Sequence, residues 1–113
     1  MVDDRHLLGA HGEALAAQWY ERRGFVVLAR NWRCSFGELD LVVSRPGLVV
    51  FCEVKTRSST AYGGAVAAVS LSKQRRVRRL AAAWLASHPG RAEVRFDVAA
   101  VDDGVVGVVE GAF

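Results

Sequence analysis

Between Val54 and Ala92 the chain has no acidic residue at all, although eight basic ones fall there: Lys55, Arg57, Lys73, Arg75, Arg76, Arg78, Arg79 and Arg91. The formal net charge of +3 understates this asymmetry. A stretch so one-sided sets up a positive field and favours a polyanionic partner, nucleic acid first among them; the alternative is a solvated basic helix face. Cysteine is nearly absent as well. Cys34 and Cys52 are too few for a disulfide framework or a four-cysteine zinc site, which fits a reducing cytoplasmic location, with Cys52 packed in the core. Long hydrophobic runs are missing, which excludes a membrane-spanning helix, and Met1 to His6 lack a secretory signal pattern. Internal repeats and linkers are missing too. With 113 residues, 51% of them apolar and 24% charged, residues 1–113 are expected to form a single ordinary globular domain.

What is present reads as alternating elements. Asp3 or Asp4 can N-cap a helix running to about Arg23, with Gly24 at its C′ position and Leu7, Leu8, Leu15, Trp19 and Tyr20 as apolar contacts. Gly9, Gly12, Glu13 and Ala16 are neighbours at three- and four-residue spacings. Glycine inside a helix costs about 1 kcal/mol relative to alanine, so Gly9 and Gly12 imply close backbone approach to something, with Glu13 held beside it. Phe25 to Ala29 reads as a strand and Arg30 to Gly37 as its frayed end and a turn. Glu38–Val43 and Leu48–Thr56 are two further strands around Ser44-Arg45-Pro46-Gly47, forming an antiparallel hairpin. Pro-Gly suits a tight hairpin turn poorly, so a longer loop is expected. Arg57 to Gly64 reads as a surface loop that could cover a site, and Ala65 to Val69 is ambiguous. Ser70 or Ser72 caps a second helix, with Val77, Leu80, Ala81, Trp84 and Leu85 at helical spacing and Pro89-Gly90 as its end. Glu93–Val101 is a strand, Asp102-Asp103-Gly104 a turn, and Val105–Val109 a short last strand. A right-handed crossover from the third strand through the second helix would make the third and fourth strands parallel. The class is α/β with a mixed sheet, in the order α-β-β-β-α-β plus a short C-terminal strand.

Charges interrupt two of these apolar strands, at Gly37-Glu38-Leu39-Asp40 and at Glu53-Val54-Lys55. Buried charge is costly unless it is paired or metal-bound. If Arg45 opposes Leu48, counting back sets Asp40 opposite Glu53 and Glu38 opposite Lys55, on one face of the sheet. Carboxylate oxygens suit Mg2+ or Mn2+, so Asp40 and Glu53 are candidate ligands, with the Val54 carbonyl as a further one. Lys55 projects to the same face, where it could orient a water or neutralise a phosphate. A cross-strand ion pair of Lys55 with Glu38, Glu53 and Asp40 is the competing explanation.

Taken together, these residues resemble the YraN-like bacterial family of predicted endonucleases, which are similar to archaeal Holliday junction resolvases and have the PD-(D/E)xK restriction-endonuclease-like fold. The resemblance covers nearly the whole chain: Gly12-Glu13 with Ala16, Gly24-Phe25, Arg30-Asn31-Trp32-Arg33, Gly37-Glu38-Leu39-Asp40-Leu41, Phe51 to Arg57, Lys73 with Arg76, and Arg95-Phe96-Asp97-Val98. It implies that Asp40 and Glu53 bind metal, that Lys55 is the catalytic lysine and that Glu13 is a helix carboxylate directed at the site. Leu39 stands where the motif's name has proline.

Other candidates are weighed similarly. Glu38 could serve a second cation or a salt bridge, with the structural role slightly favoured. Lys73, Arg75 and Arg76 at the second helix's N-terminus form a candidate phosphate-binding surface, joined by Arg57, Gln74 and Arg79. Asp97 could approach the site, but pairing with Arg95 or Arg91 is the expectation. His6, His11 and His88 lack metal-ligand spacing; Trp19 and Trp84 are expected in the core, as more often are Trp32 and Phe36, though these two could stack on bases. The expected function is a divalent-metal-dependent endonuclease acting on DNA, including branched forms. Its alternatives are a non-catalytic nucleic-acid-binding module retaining the fold and, further off, an adaptor for an acidic protein. Resolvase-like action on a twofold junction would call for a homodimer.

Overall fold

The computed structural model describes residues 4–57 and 69–113, with side chains from residue 10 to 56 and from 69 onward. The expected loop at 57–64 and the ambiguous 65–69 stretch therefore lie outside the described residues, apart from the backbone of Arg57 and the buried Val69. The elements are α1 (Asp4–Glu21), β1 (Val26–Cys34), β2 (Gly37–Arg45), β3 (Leu48–Arg57), α2 (Leu71–Ser87), β4 (Glu93–Asp102) and β5 (Val105–Val109). They build one five-stranded sheet in the order β1-β2-β3-β4-β5, parallel between β3 and β4 and antiparallel elsewhere.

Strand periodicity divides the core between two faces. Leu41, Val43, Val50, Cys52 and Ala99 pack with Ala16, Ala17 and Tyr20 of α1. Val42 and Phe51 pack with Val77, Leu80, Ala81 and Trp84 of α2. Alternating side chains of β2 and β3 thus meet different helices, as the two-residue period requires. Leu39 breaks the alternation: it joins the α2 cluster, although Leu41 two residues on faces α1.

The ends of α1 and α2 follow their capping residues. Gly24, at φ +83°, closes α1: its N–H donates to the Glu21 carbonyl (3.1 Å) and the Phe25 N–H to the Tyr20 carbonyl (3.1 Å). This is a Schellman pair, completed by the edge-on Tyr20 and Phe25 rings 5.2 Å apart. At the start of α2 the Ser70 hydroxyl accepts the Lys73 N–H at 3.1 Å. The polar sequence Asp103-Gly104, both residues at positive φ, gives the tight turn between β4 and β5.

Two expectations need correction. Arg30–Cys34 is not a frayed end; it continues β1 and pairs with β2 as far as Cys34↔Gly37. The polarity that suggested fraying belongs to a sheet edge, where Arg30 and Arg33 point to solvent while Trp32 and Cys34 pack against the α2 cluster. The β2–β3 loop is also shorter than expected. Arg45 pairs directly with Leu48, leaving Pro46 and Gly47 as the turn. Gly47 takes φ +81°, the conformation a proline-glycine turn of type II demands, and its carbonyl accepts the Glu93 N–H at 2.9 Å, tying the turn to β4.

Among the described residues no helix is long and apolar enough to cross a membrane.

Candidate metal centre

The centre lies where β2 and β3 part. Their ladder runs from Arg45↔Leu48 to Leu41↔Cys52. Past that point β2 stays paired with β1, and β3 stays paired with β4 through Arg57↔Asp102. The fork frees the Val54 N–H, and Asp40 Oδ2 accepts it at 2.9 Å. Asp40 and Glu53 therefore stand across the fork, at the positions the hairpin register extends to, although no ladder pairing joins them.

Glu53 is 2% exposed, and its Oε2 has no hydrogen-bond partner. Burial pushes its carboxyl up to about 8, and the neighbouring Asp40, by hydrogen bonding and by charge, adds to the rise. Lys73 and Lys55 oppose this without overcoming it. The Lys73 Nζ is 3.6 Å from Glu53 Oε2, within ion-pair range but too far for a hydrogen bond, and its side chain is 28% exposed. Burial outweighs that partly solvated cation, so the carboxyl stays raised. Lys55 is half-buried; burial and the adjacent Lys73 lower the pKa of its ammonium, while Glu53 and Asp40 partly restore it.

A cavity of about 300 Å³ opens here, lined by Gly37, Glu38, Asp40, Glu53, Lys73, Arg76 and Val77. A larger one, about 570 Å³, lies beside the β2–β3 turn against Trp84, His88 and Arg91, and no carboxylate lines it. Chemistry, not size, makes the smaller cavity the candidate site. An unpartnered carboxylate oxygen beside a second carboxylate is costly unless a proton or a cation meets it, so these residues fit a hard divalent ion. Among the described residues no group of three His, Cys, Asp or Glu side chains gathers to hold a cation unaided. A cation would draw its remaining oxygens from the backbone, water or substrate.

Other candidates find varied places. Glu13 follows Gly12 on α1 and is half-buried. A side chain at Gly12 would run into the Thr56 hydroxyl, so α1 approaches β3 closely one residue beyond Lys55, the contact the helix glycine implied. Gly9 has no described surroundings. Glu38 lines the cavity but pairs with Arg33 at 3.0 Å, not with Lys55, its partner by register. Gln74 donates its amide to the Val69 carbonyl (3.1 Å). Arg75 and Arg79 are exposed, and Arg79 lies over the Phe36 ring at 4.1 Å. The side chain of Arg57 is outside the described residues. Trp32 and Phe36 pack half-buried against the α2 cluster, and His11 and His88 are exposed. Asp97 pairs with Arg95 (2.9 Å) as expected, and also accepts from the Tyr20 hydroxyl (2.6 Å) and the Gly111 N–H (3.0 Å). Sequence spacing did not indicate that Lys73 would reach Glu53. That contact exists only because α2 crosses the face of β3.

Among the described residues, a mixed five-stranded sheet with a helix on each face makes an α/β architecture compatible with a restriction-endonuclease-like fold. Residues 12–101 match the model of the uncharacterised protein family UPF0102, and the chain belongs to that family, in agreement with its YraN-like motifs. A UPF0102 protein of Mycolicibacterium vanbaalenii is 50% identical over 101 residues, covering 88% of this chain and 84% of that protein. One from Beutenbergia cavernae is 55% identical over 95 residues, covering 83% and 80%. Another, from Nocardia farcinica, is 46% identical over 101 residues, covering 88% and 80%.

Proposed function

We propose that this chain is a divalent-metal-dependent phosphodiesterase, an endonuclease acting on DNA. The observation that carries the reading is the buried, donorless Glu53 Oε2 beside Asp40, in a cavity also lined by Lys73 and Arg76. Mg2+ or Mn2+ held by Asp40 and Glu53, with the Val54 carbonyl as a further donor, would polarise a scissile phosphate and acidify a water. Lys55, whose ammonium gives up its proton more readily than an ordinary lysine's, is suited to handle the water's proton or to meet charge growing on the phosphate. Arg76, in the cavity wall, would hold a phosphate oxygen, while exposed Arg75 and Arg79 track the backbone outside it. Glu13 is the remaining carboxylate candidate for the centre. A branched substrate would call for two such centres and hence a homodimer.

The test is incubation of the pure protein with branched, flapped and single-stranded DNA in Mg2+ or Mn2+, beside Asp40→Asn and Lys55→Ala. Metal-dependent cleavage that both substitutions reduce by at least about a hundredfold is the expected result. No cleavage by the parent chain, or undiminished cleavage by the variants, would falsify the reading.

The Lys73 to Glu53 contact favours a second reading, a nucleic-acid-binding module in which that lysine is the permanent counter-charge. It predicts salt-sensitive DNA binding indifferent to divalent cation. Calorimetric Mg2+ binding abolished by Glu53→Ala would rule it out.

A further inference from the structure

Lys73 stands in a position that a phosphate-binding residue does not explain. Its backbone N–H is fixed by the Ser70 cap at 3.1 Å, so the residue belongs to the first turn of α2, and its side chain turns inward. The Nζ comes to rest 3.6 Å from Glu53 Oε2, the one carboxylate oxygen of the pair that is buried and lacks a donor. Arg76, one helical turn on, lines the same cavity, but no ion pair links it to either acid. The ammonium therefore occupies space beside the oxygen that a metal ion would have to approach.

We infer that Lys73 is an internal stand-in for the metal: its ammonium occupies the seat at Glu53 in the metal-free protein and leaves it for a substrate phosphate when a divalent cation binds. The inference rests on the metal-dependent reading above and adds an order to it. An ammonium and a divalent cation repel one another strongly within a few ångströms where water is scarce, so both cannot stay at one carboxylate oxygen. Lys73 can leave cheaply, because its side chain is 28% exposed and hangs on a flexible four-carbon stem. Once displaced, it remains in a cavity wall with Arg76, where the nearest fitting partner is an anionic phosphate. Metal entry would thereby prepare the DNA-binding surface, and metal and DNA would bind with positive coupling. By linkage the coupling acts equally in both directions.

The experiment compares the parent chain with Lys73→Met, which keeps the stem's length and suits a helix, and Lys73→Arg, which keeps the charge. Mg2+ affinity is measured by calorimetry for all three proteins at the same pH and ionic strength. Affinity for a phosphorothioate-linked oligonucleotide is measured by anisotropy with and without Mg2+. Lys73→Met is expected to bind Mg2+ on the order of fivefold more tightly, with Lys73→Arg close to the parent. The gain in oligonucleotide affinity that Mg2+ gives the parent should shrink several-fold in Lys73→Met. Unchanged or weaker Mg2+ binding by Lys73→Met, with binding by the parent intact, overturns the inference and leaves the nuclease reading standing. Tighter Mg2+ binding with an undiminished gain overturns the transfer to phosphate. A parent chain that binds no Mg2+ overturns both the inference and the reading beneath it.

Discussion

At Glu53 a carboxyl sits where little water reaches it to solvate a charge. Its folded-state value near 8 lies above the ordinary 4.5, so between those values the native protein holds a proton that the unfolded chain has released. The contribution to stability is complete below about pH 4.5 and fades as pH rises through 8. In EDTA, thermal melts of the parent chain should therefore lose stability from pH 5 to pH 8.5, and Glu53→Gln should flatten that part of the profile. A slope unchanged by the substitution would place the titration elsewhere. Gly12 is tested differently. Gly12→Ala should cost about 1–3 kcal/mol in urea melts through its clash with the Thr56 hydroxyl, and Thr56→Ala should recover part of the loss when combined with it. Residue by residue, strand parity made Asp40, Glu53 and Lys55 legible as one group, and a costly helix glycine revealed a close approach. Lys73 was not legible in its present role, because pattern along a chain carries no information about which side chain a docked helix lays across a sheet.

The elements hold their places through their ends. Ser70→Ala should cost about 1 kcal/mol by removing the acceptor for the Lys73 N–H. Because the same turn carries Lys73, the substitution should also loosen that lysine's hold on Glu53, seen as faster amide hydrogen exchange at residues 71 to 74. Exchange there at the parent's rate would mean that the cap is dispensable. The second helix and the last two strands followed directly from capping and turn residues. The first strand did not, because Arg30 and Arg33 look like loop chemistry until the sheet order makes β1 an edge, where one side needs no apolar cover. The β2–β3 turn misled for a related reason. A preference for other dipeptides was overridden by the ladder on both sides and by the hydrogen bond from Glu93.

Among the described residues, the buried charges are two carboxylates, Glu53 and Asp97. Basic residues gather on α2, whose first turn has no acid, while Asp97 sits fully buried and joins distant parts of the chain: Tyr20 from α1, Arg95 from its own strand and Gly111 from the C-terminal segment. Asp97→Ala should cost about 3–5 kcal/mol, since it removes the acceptor of the buried Tyr20 hydroxyl and leaves Arg95 only its longer contact with Glu110 (3.7 Å); chemical denaturation measures this. The C-terminal segment should loosen with it, because the Gly111 N–H donates to that carboxylate at 3.0 Å. For the basic face, each of Arg75→Ala and Arg79→Ala should lower the slope of log affinity against log salt for DNA by about one if each neutralises a phosphate. A slope that neither changes would take that face out of the contact.

Asp40 also serves as a clasp. Its carboxylate replaces the hydrogen bond that β2 ceases to give β3 at Val54, so the side chain that would grip a cation also sets how far the two strands spread. Alanine at this position would let the fork open and remove charge at the same time, whereas asparagine keeps an oxygen for Val54 and removes the charge alone. The difference in stability between those two substitutions is the architectural share of Asp40. Any cation drawn to it pulls on the weave of the sheet itself.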